Sequence, residues 1–352
     1  MNFILIHEIM LSNTTDIFNK HLIQSLVKQD FPIGLANGKM GICIYLYITG
    51  RVESNEEYLS LADKLLDEIT NHISGLPVDV ENGLGGIGLG VNFLAKSNYI
   101  KGNLNLILED IDNVIFKNLS YTKFVEKIDV LSLIQILYYL YIRLKAQRKN
   151  SENELLLKEL IISTINHIYE KIDLEFFEEY LFYSINYPLP QLLYVFSEIY
   201  SLEFYNYRLI KIIEELEHKI LSVLPLLNSN KLYLLWGLDS LQRRIQNKNW
   251  EKQIKVIKDQ INLDMIFDNE LKDKNIFFNE GVTSIYFFIN SLKDYFSPEY
   301  LYVYNTKILK KIESSTVWTL VPKEPQYVNS YLGLYGGLCG PALVLNLTHN
   351  NM

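Results

Sequence analysis

Three carboxylates, Asp129, Asp239 and Glu280, are the best candidates in this 352-residue chain for acid/base chemistry. Two carboxyl groups facing each other across a cleft can divide the work of acid and base, as they do in glycosidases. The same residues at helix N-termini would serve as caps favoured by the helix dipole, so cap and catalyst are competing expectations. The two cysteines, Cys43 and Cys339, have apolar neighbours and read as inert core thiols, too few for a disulfide framework. The six histidines, His7, His21, His72, His167, His218 and His349, are scattered, and none pairs with a cysteine at ligand spacing. His72, His167 and His218 fall on amphipathic segments, where a solvated face is expected. Gly83-Leu84-Gly85-Gly86 follows no strand and lacks a βαβ context, which excludes a nucleotide loop.

The elements that must position these residues are announced by a recurring phrase. It stands as Asn37-Gly38-Lys39-Met40-Gly41-Ile42, Asn82-Gly83-Leu84-Gly85-Gly86-Ile87 and Gly337-Leu338-Cys339-Gly340-Pro341, with a worn copy at Glu280-Gly281-Val282-Thr283-Ser284-Ile285. A spacing of about 45 to 55 residues implies stacked supersecondary units. Each copy precedes an apolar segment. Seven segments are apolar nearly all round, Ile42–Ile48, Ile87–Ala95, Val130–Leu144, Leu189–Tyr200, Leu232–Ile245, Val282–Leu292 and Leu338–Leu347, and read as helices buried on all sides. They alternate with seven amphipathic ones, Asn13–Gln29, Glu56–Ser74, Leu104–Leu119, Glu152–Lys171, Asn206–Leu224, Asn249–Met265 and Pro298–Ser314. No run shows strand alternation with hairpin turns. Glycine at the start of a buried helix permits the angles of the entering turn and lets neighbours approach closely. The last apolar segment carries no polar cap of the kind an open solenoid needs, so the first unit is expected to cover it, closing an α/α toroid. Asp129, Asp239 and Glu280 would then lie in turns at one mouth.

Composition narrows the function classes. A formal charge of −8 without a basic stripe argues against nucleic acid. The longest apolar stretch, Val130 to Ile142, lies between Asp129 and Arg143 and is too short for a membrane span. Met1–Leu11 has neither the basic start nor the cleavage site of a signal peptide, so a cytoplasmic protein is expected. The 25 tyrosines suit large half-buried faces, or a cleft for peptide or sugar.

Gly34-Leu35-Ala36-Asn37-Gly38-Lys39-Met40-Gly41, Glu81-Asn82-Gly83-Leu84-Gly85-Gly86-Ile87-Gly88-Leu89-Gly90 and Gly333-Leu334-Tyr335-Gly336-Gly337-Leu338-Cys339-Gly340 resemble the lanthionine synthetase C-like family. The resemblance is strong over 30–120, good at the C-terminus and weak between 120 and 280. It implies an α/α toroid of seven inner and seven outer helices. In active members, zinc at one mouth supports addition of peptide cysteine thiols to dehydrated serine or threonine. Zinc makes thiolate available near neutral pH, and three protein ligands leave a fourth position for the substrate. The family's Trp-Cys-x-Gly phrase is similar to Leu234-Leu235-Trp236-Gly237-Leu238-Asp239, with Leu235 at the cysteine, or Gly237 if the register follows the tryptophan. Its Cys-His-Gly phrase is similar to Asn279-Glu280-Gly281, and its Ala-His-Gly-x-x-Gly phrase to the stretch Ile185–Pro190, with Asn186 at the histidine. An aspartate ahead of the third inner helix corresponds to Asp129.

The resemblance therefore implies a scaffold whose reactive residues have been replaced: no zinc cofactor, and an asparagine where a proton would be exchanged. The expectation is a single toroidal domain over 1–352 that binds a precursor peptide or a peptide-modifying enzyme, with Asn186, Trp236 and Asn279 as substrate-binding residues. The alternative is an enzyme of altered chemistry, either a remaining cyclase or a hydrolase using Glu280 with Asp129 or Asp239.

Overall fold

In a computed structural model, backbone is described for residues 2–28, 30–320 and 331–349, and side chains within 14–28, 30–319 and 331–348. Every regular element among the described residues is a helix; no strand occurs among them. The helices of ten residues or more are α1 (Asn2–Lys28), α2 (Lys39–Val52), α3 (Glu56–Asn71), α4 (Leu84–Lys96), α5 (Glu109–Ser120), α6 (Val130–Lys145), α7 (Glu152–Lys171), α8 (Pro188–Tyr200), α9 (Asn206–Ser222), α10 (Asn228–Ile245), α11 (Lys248–Gln260), α12 (Val282–Ser291), α13 (Pro298–Glu313) and α14 (Cys339–His349).

Odd and even helices differ as the periodicity requires. In α3, Tyr58, Ala62, Leu65 and Ile69 are buried at helical spacing, Glu56 and Glu57 occupy the first turn, and Asn55 caps it through the amides of Glu57 and Tyr58. In α2 every residue from Lys39 to Tyr47 is buried. Two of the expected amphipathic segments are broken. Leu104–Leu119 divides at the buried Leu108 into Leu104–Ile107 and α5. Asn249–Met265 divides after Gln260, where Asn262 caps a short turn through the Met265 amide.

The even helices contact one another in sequence, α2 with α4, α4 with α6, and so on to α12 with α14, and α14 packs against α2. Each odd helix from α3 to α13 lies on the even helix before it, while α1 meets α2 where the Tyr45 hydroxyl donates to Asn19 Oδ1 at 2.5 Å. Buried apolar side chains form one continuous cluster from Phe18 to Leu345. Where α8 and α10 cross, a Cβ on Gly237 would stand 2.8 Å from the Pro190 backbone, so only glycine admits this approach.

The recurring phrase has a local cause. The amide just after the phrase's glycine, at or one residue ahead of the helix start, donates back across a tight loop: Lys39 N to Pro32 O at 2.7 Å, Leu84 N to Pro77 O at 2.8 Å, Val282 N to Asn275 O at 3.0 Å and Leu338 N to Tyr331 O at 2.7 Å. Each loop folds its carbonyl against the glycine Cα. A Cβ at Gly38, Gly83 or Gly281 would overlap the carbonyl oxygen of Pro32, Pro77 or Asn275. Backbone at these three glycines is extended, so the missing Cβ, and no unusual backbone angle, is what the position demands. Thus the expectation of special angles is corrected to one of space.

Candidate functional site

The loops that precede the even helices are tied to one another. Ala36 N donates to Glu81 O at 2.9 Å and Tyr335 N to Ala36 O at 2.8 Å. Phe278 N and Asn279 N both donate to Tyr335 O at 3.0 Å, and Ile185 N donates to Asn279 O at 2.9 Å. Asn37 Oδ1 accepts from Gly336 N at 2.8 Å. Side chains repeat the connection: the Tyr335 hydroxyl donates to Asn186 Oδ1, and the Asn186 amide lies close enough to the Glu81 carboxylate to favour its ionised form. Asn186 and Asn279, far apart in sequence, are thereby joined through Tyr335.

Where these loops meet, the surroundings of Glu81 and Tyr335 favour their neutral forms. Burial, then the charges of Asp79 and Asp129, raise the Glu81 carboxyl above the ordinary glutamate range, while the Asn186 amide opposes the shift. Burial and the nearby Glu81 and Glu280 carboxylates push the Tyr335 phenol far up, so it acts as a hydrogen-bond donor and not as a phenolate. Sequence reasoning passed over Glu81, Asn37 and Tyr335. All three lie in the glycine phrases, a few residues ahead of the helix starts, and that position was the available signal.

The three candidate carboxylates have different partners. Asp129 is exposed and caps α6, accepting from Ser132 N at 2.9 Å and Ser132 Oγ at 2.6 Å. Asp239 is buried and paired, accepting from Arg243 Nε at 2.7 Å and the Tyr295 hydroxyl at 2.6 Å. It sits about three turns inside α10, which corrects its expected place in a mouth turn. The cause is the early start of α10 at Asn228, where Glu270 from another loop satisfies the first amides. Its carboxylate accepts from Asn228 N at 2.7 Å, Asn228 Nδ2 at 2.9 Å, Ser229 N at 2.9 Å and Ser229 Oγ at 2.7 Å.

The same early start relocates the tryptophan phrase. Leu235 is wholly buried core, and Trp236 joins an aromatic stack, 4.6 Å from Tyr194 and 5.2 Å from Phe288 between ring centroids. Neither stands at a helix start as the resemblance implies. Of the positions Leu235, Asn279 and Glu280, one is an alkyl side chain, one a neutral amide, and only Glu280 can ligate zinc. That donor set does not fit the metal. Among the described residues no three His, Cys, Asp or Glu side chains gather to hold a metal ion. Cys43 and Cys339 are free and buried, their thiols donating to Ala62 O and Leu332 O respectively.

Glu280 is exposed and lines a groove of about 520 Å³ with Leu181, Phe182, Leu227, Glu270 and Asn275. Leu181 is 99% exposed, and Leu226 beside it 85%. Large apolar side chains standing free next to carboxylates mark a contact surface more often than ordinary exterior. Glu179 fixes this loop pair, accepting from Leu226 N and from Asn230 Nδ2.

No family model matches the chain, and no curated protein matches it either. No helix among the described residues is long and apolar enough to cross a membrane.

Proposed function

We propose that this chain is a single α/α toroid of the lanthionine synthetase C-like type over 1–352, acting in the cytoplasm. In this reading it binds a ribosomally made precursor peptide, or an enzyme that modifies one, without zinc chemistry. The closed order of contacts, from α2 through α14 and back to α2, supports the toroid. The observation that carries the function is the groove beside Glu280. It is lined by Glu280, one of the positions where the resemblance expects a reactive residue, and it presents Leu181 and Phe182 next to Glu270 and Glu280. Such a surface takes a segment that alternates apolar and basic side chains, apolar for the exposed leucine and phenylalanine, basic for the carboxylates.

The test is fluorescence anisotropy with a labelled peptide of alternating leucine and lysine, against its leucine–glutamate counterpart. Saturable binding of the basic peptide, with a Kd in roughly the micromolar range, is expected, together with at least a roughly tenfold loss in Leu181→Asp. Equal binding of the acidic peptide, or no effect of the substitution, would remove the groove from the function. Incubation with a dehydrated precursor is expected to leave its cysteines alkylatable. Ring formation with stoichiometric zinc would replace this reading by that of an active cyclase.

A further inference from the structure

A second space lies behind the mouth. It is a cavity of about 660 Å³ between α2, α4, α6, α12 and α14, within the range that holds small-molecule ligands. Glu81, just ahead of α4, and Lys96, its last residue, both line it, so it follows a 13-residue helix about 20 Å long. Between those ends the walls are almost entirely apolar, with Ile44, Leu89 and Leu343 facing the space. Phe93, Phe287 and Leu347, also in the wall, are each more than a third exposed. That leaves apolar surface against solvent inside the molecule, which is unfavourable until something apolar covers it.

The polar groups of the wall stand at both ends, Glu81 and Tyr335 at one, Asn92 and Lys96 toward the other. Asn92 is 5% exposed, lines the cavity, and its Oδ1 has no hydrogen-bond partner. A buried amide oxygen without a partner costs about 1–3 kcal/mol, and as an acceptor it cannot itself meet a carboxylate. Asn92 and Lys96 are separated by one turn and therefore share a face of α4. Lys96 is exposed at the end of the cavity, and among the described residues no carboxylate pairs with it. Burial and the neighbouring cations Lys145 and Arg143 all work against its ammonium, a penalty that an anion would relieve. The Asn92 Nδ2 is not enclosed as its Oδ1 is, has no protein acceptor among the described residues, and can donate to the same anion.

We propose that this cavity binds a linear aliphatic carboxylic acid, with its carboxylate on Lys96 and Asn92 and its chain along the apolar wall toward Glu81. A peptide fits less well. Its successive amides would face leucine, isoleucine and phenylalanine side chains and lose their hydrogen bonds to water without replacement. An alkyl chain has no such groups.

Isothermal titration of the full chain with octanoate, dodecanoate and hexadecanoate tests this, with dodecanol and dodecylamine as controls of equal length. We expect saturable one-to-one binding of dodecanoate, roughly tenfold or more tighter than dodecanol, as a charge-assisted hydrogen bond requires. Lys96→Met keeps the alkyl stem and is expected to erase the preference for the acid over the alcohol. Leu343→Trp fills the wall and is expected to weaken both ligands, with folding checked by circular dichroism. A second filling variant, Leu89→Phe, repeats that arm should Leu343→Trp fail to fold. No saturable binding, equal affinity for acid and alcohol in the unaltered protein, preference for the amine, or an unchanged preference in Lys96→Met would each overturn the assignment. Undiminished binding in a folded wall-filling variant would overturn it too, by placing the ligand elsewhere.

Discussion

The helix starts at Lys39, Leu84, Val282 and Cys339 and those at Val130, Pro188 and Asn228 meet the same physical demand in different ways. A helix leaves its first amides without partners. In the first group a tight loop supplies a backbone carbonyl at or just ahead of the start, and glycine is needed because that carbonyl lies where a Cβ would be. In the second group side chains do the work. Asp129 caps α6 itself, Glu270 reaches α10 from a distant loop, and α8 opens with Pro188 and Pro190, which have no amide hydrogen to satisfy. The α12 start is intermediate: it keeps Gly281, while the Ser284 hydroxyl folds back onto the Gly281 carbonyl at 2.9 Å. The glycine phrase is therefore a device for packing backbone on backbone. Its wear along the chain records a change of capping chemistry, and says nothing by itself about reactivity.

This contrast can be broken most sharply at Gly86. A Cβ there would overlap the Val80 carbonyl oxygen, so Gly86→Ala is expected to cost about 3–5 kcal/mol or prevent folding, read by urea denaturation. Ser132 holds the same position relative to Asp129 that Gly86 holds relative to Gly83, and Ser132→Gly should cost no more than about 1 kcal/mol. Equal losses at the two sites would abolish the distinction. Glu270→Ala comes next. It removes four hydrogen bonds at the α10 start and leaves the fully buried Ser229 hydroxyl without an acceptor, for a loss of about 2–3 kcal/mol. Asp129→Ala is expected to cost about 1 kcal/mol, and Asp129→Asn to restore most of it, because asparagine caps as well as aspartate. Failure of the asparagine to rescue would point to a role for the charge.

The smallest effect is at Glu81. Its carboxyl titrates higher in the folded protein than in the unfolded chain, so the folded state is penalised when the group is ionised. The penalty is fully present above the folded pKa and disappears as pH falls through it to the ordinary glutamate value. Glu81→Gln should thus raise the thermal midpoint slightly at neutral pH. The gain should vanish in acid below the glutamate range. A gain that persists there would show that the charge is not its source.

The alternation of amphipathic and wholly apolar helices could be read from sequence because the 3.6-residue period is a local property. The carbonyl–glycine overlaps could not, since they depend on how the loop before each glycine folds. The start of α10 was misjudged for a related reason. The stretch Asn228–Lys231 looks like a loop, and it becomes helical only because a carboxylate 42 residues away meets its amides. Leu235, Trp236 and Asp239 moved from a mouth to a helix interior with that one shift. Asn186, Asn279 and Glu280 lie in the loops ahead of the even helices because their neighbours Gly281 and Pro188 fix the helix starts beside them. Glu81 and Tyr335 escaped notice because each stands inside a glycine phrase whose spacing signals a helix start and not chemistry.

The bond from Gly336 to Asn37 joins positions 299 residues apart. Closing so long a loop costs chain entropy that no nearer contact shares. The junction of α2 with α14 is therefore expected to form late in folding and to open more readily than the crossing of α8 with α10. Its amides, among them Tyr335 and Gly336, should exchange hydrogen with solvent faster than those where α8 crosses α10. Because the cavity borders this junction, an opening there would also widen the way in for its ligand.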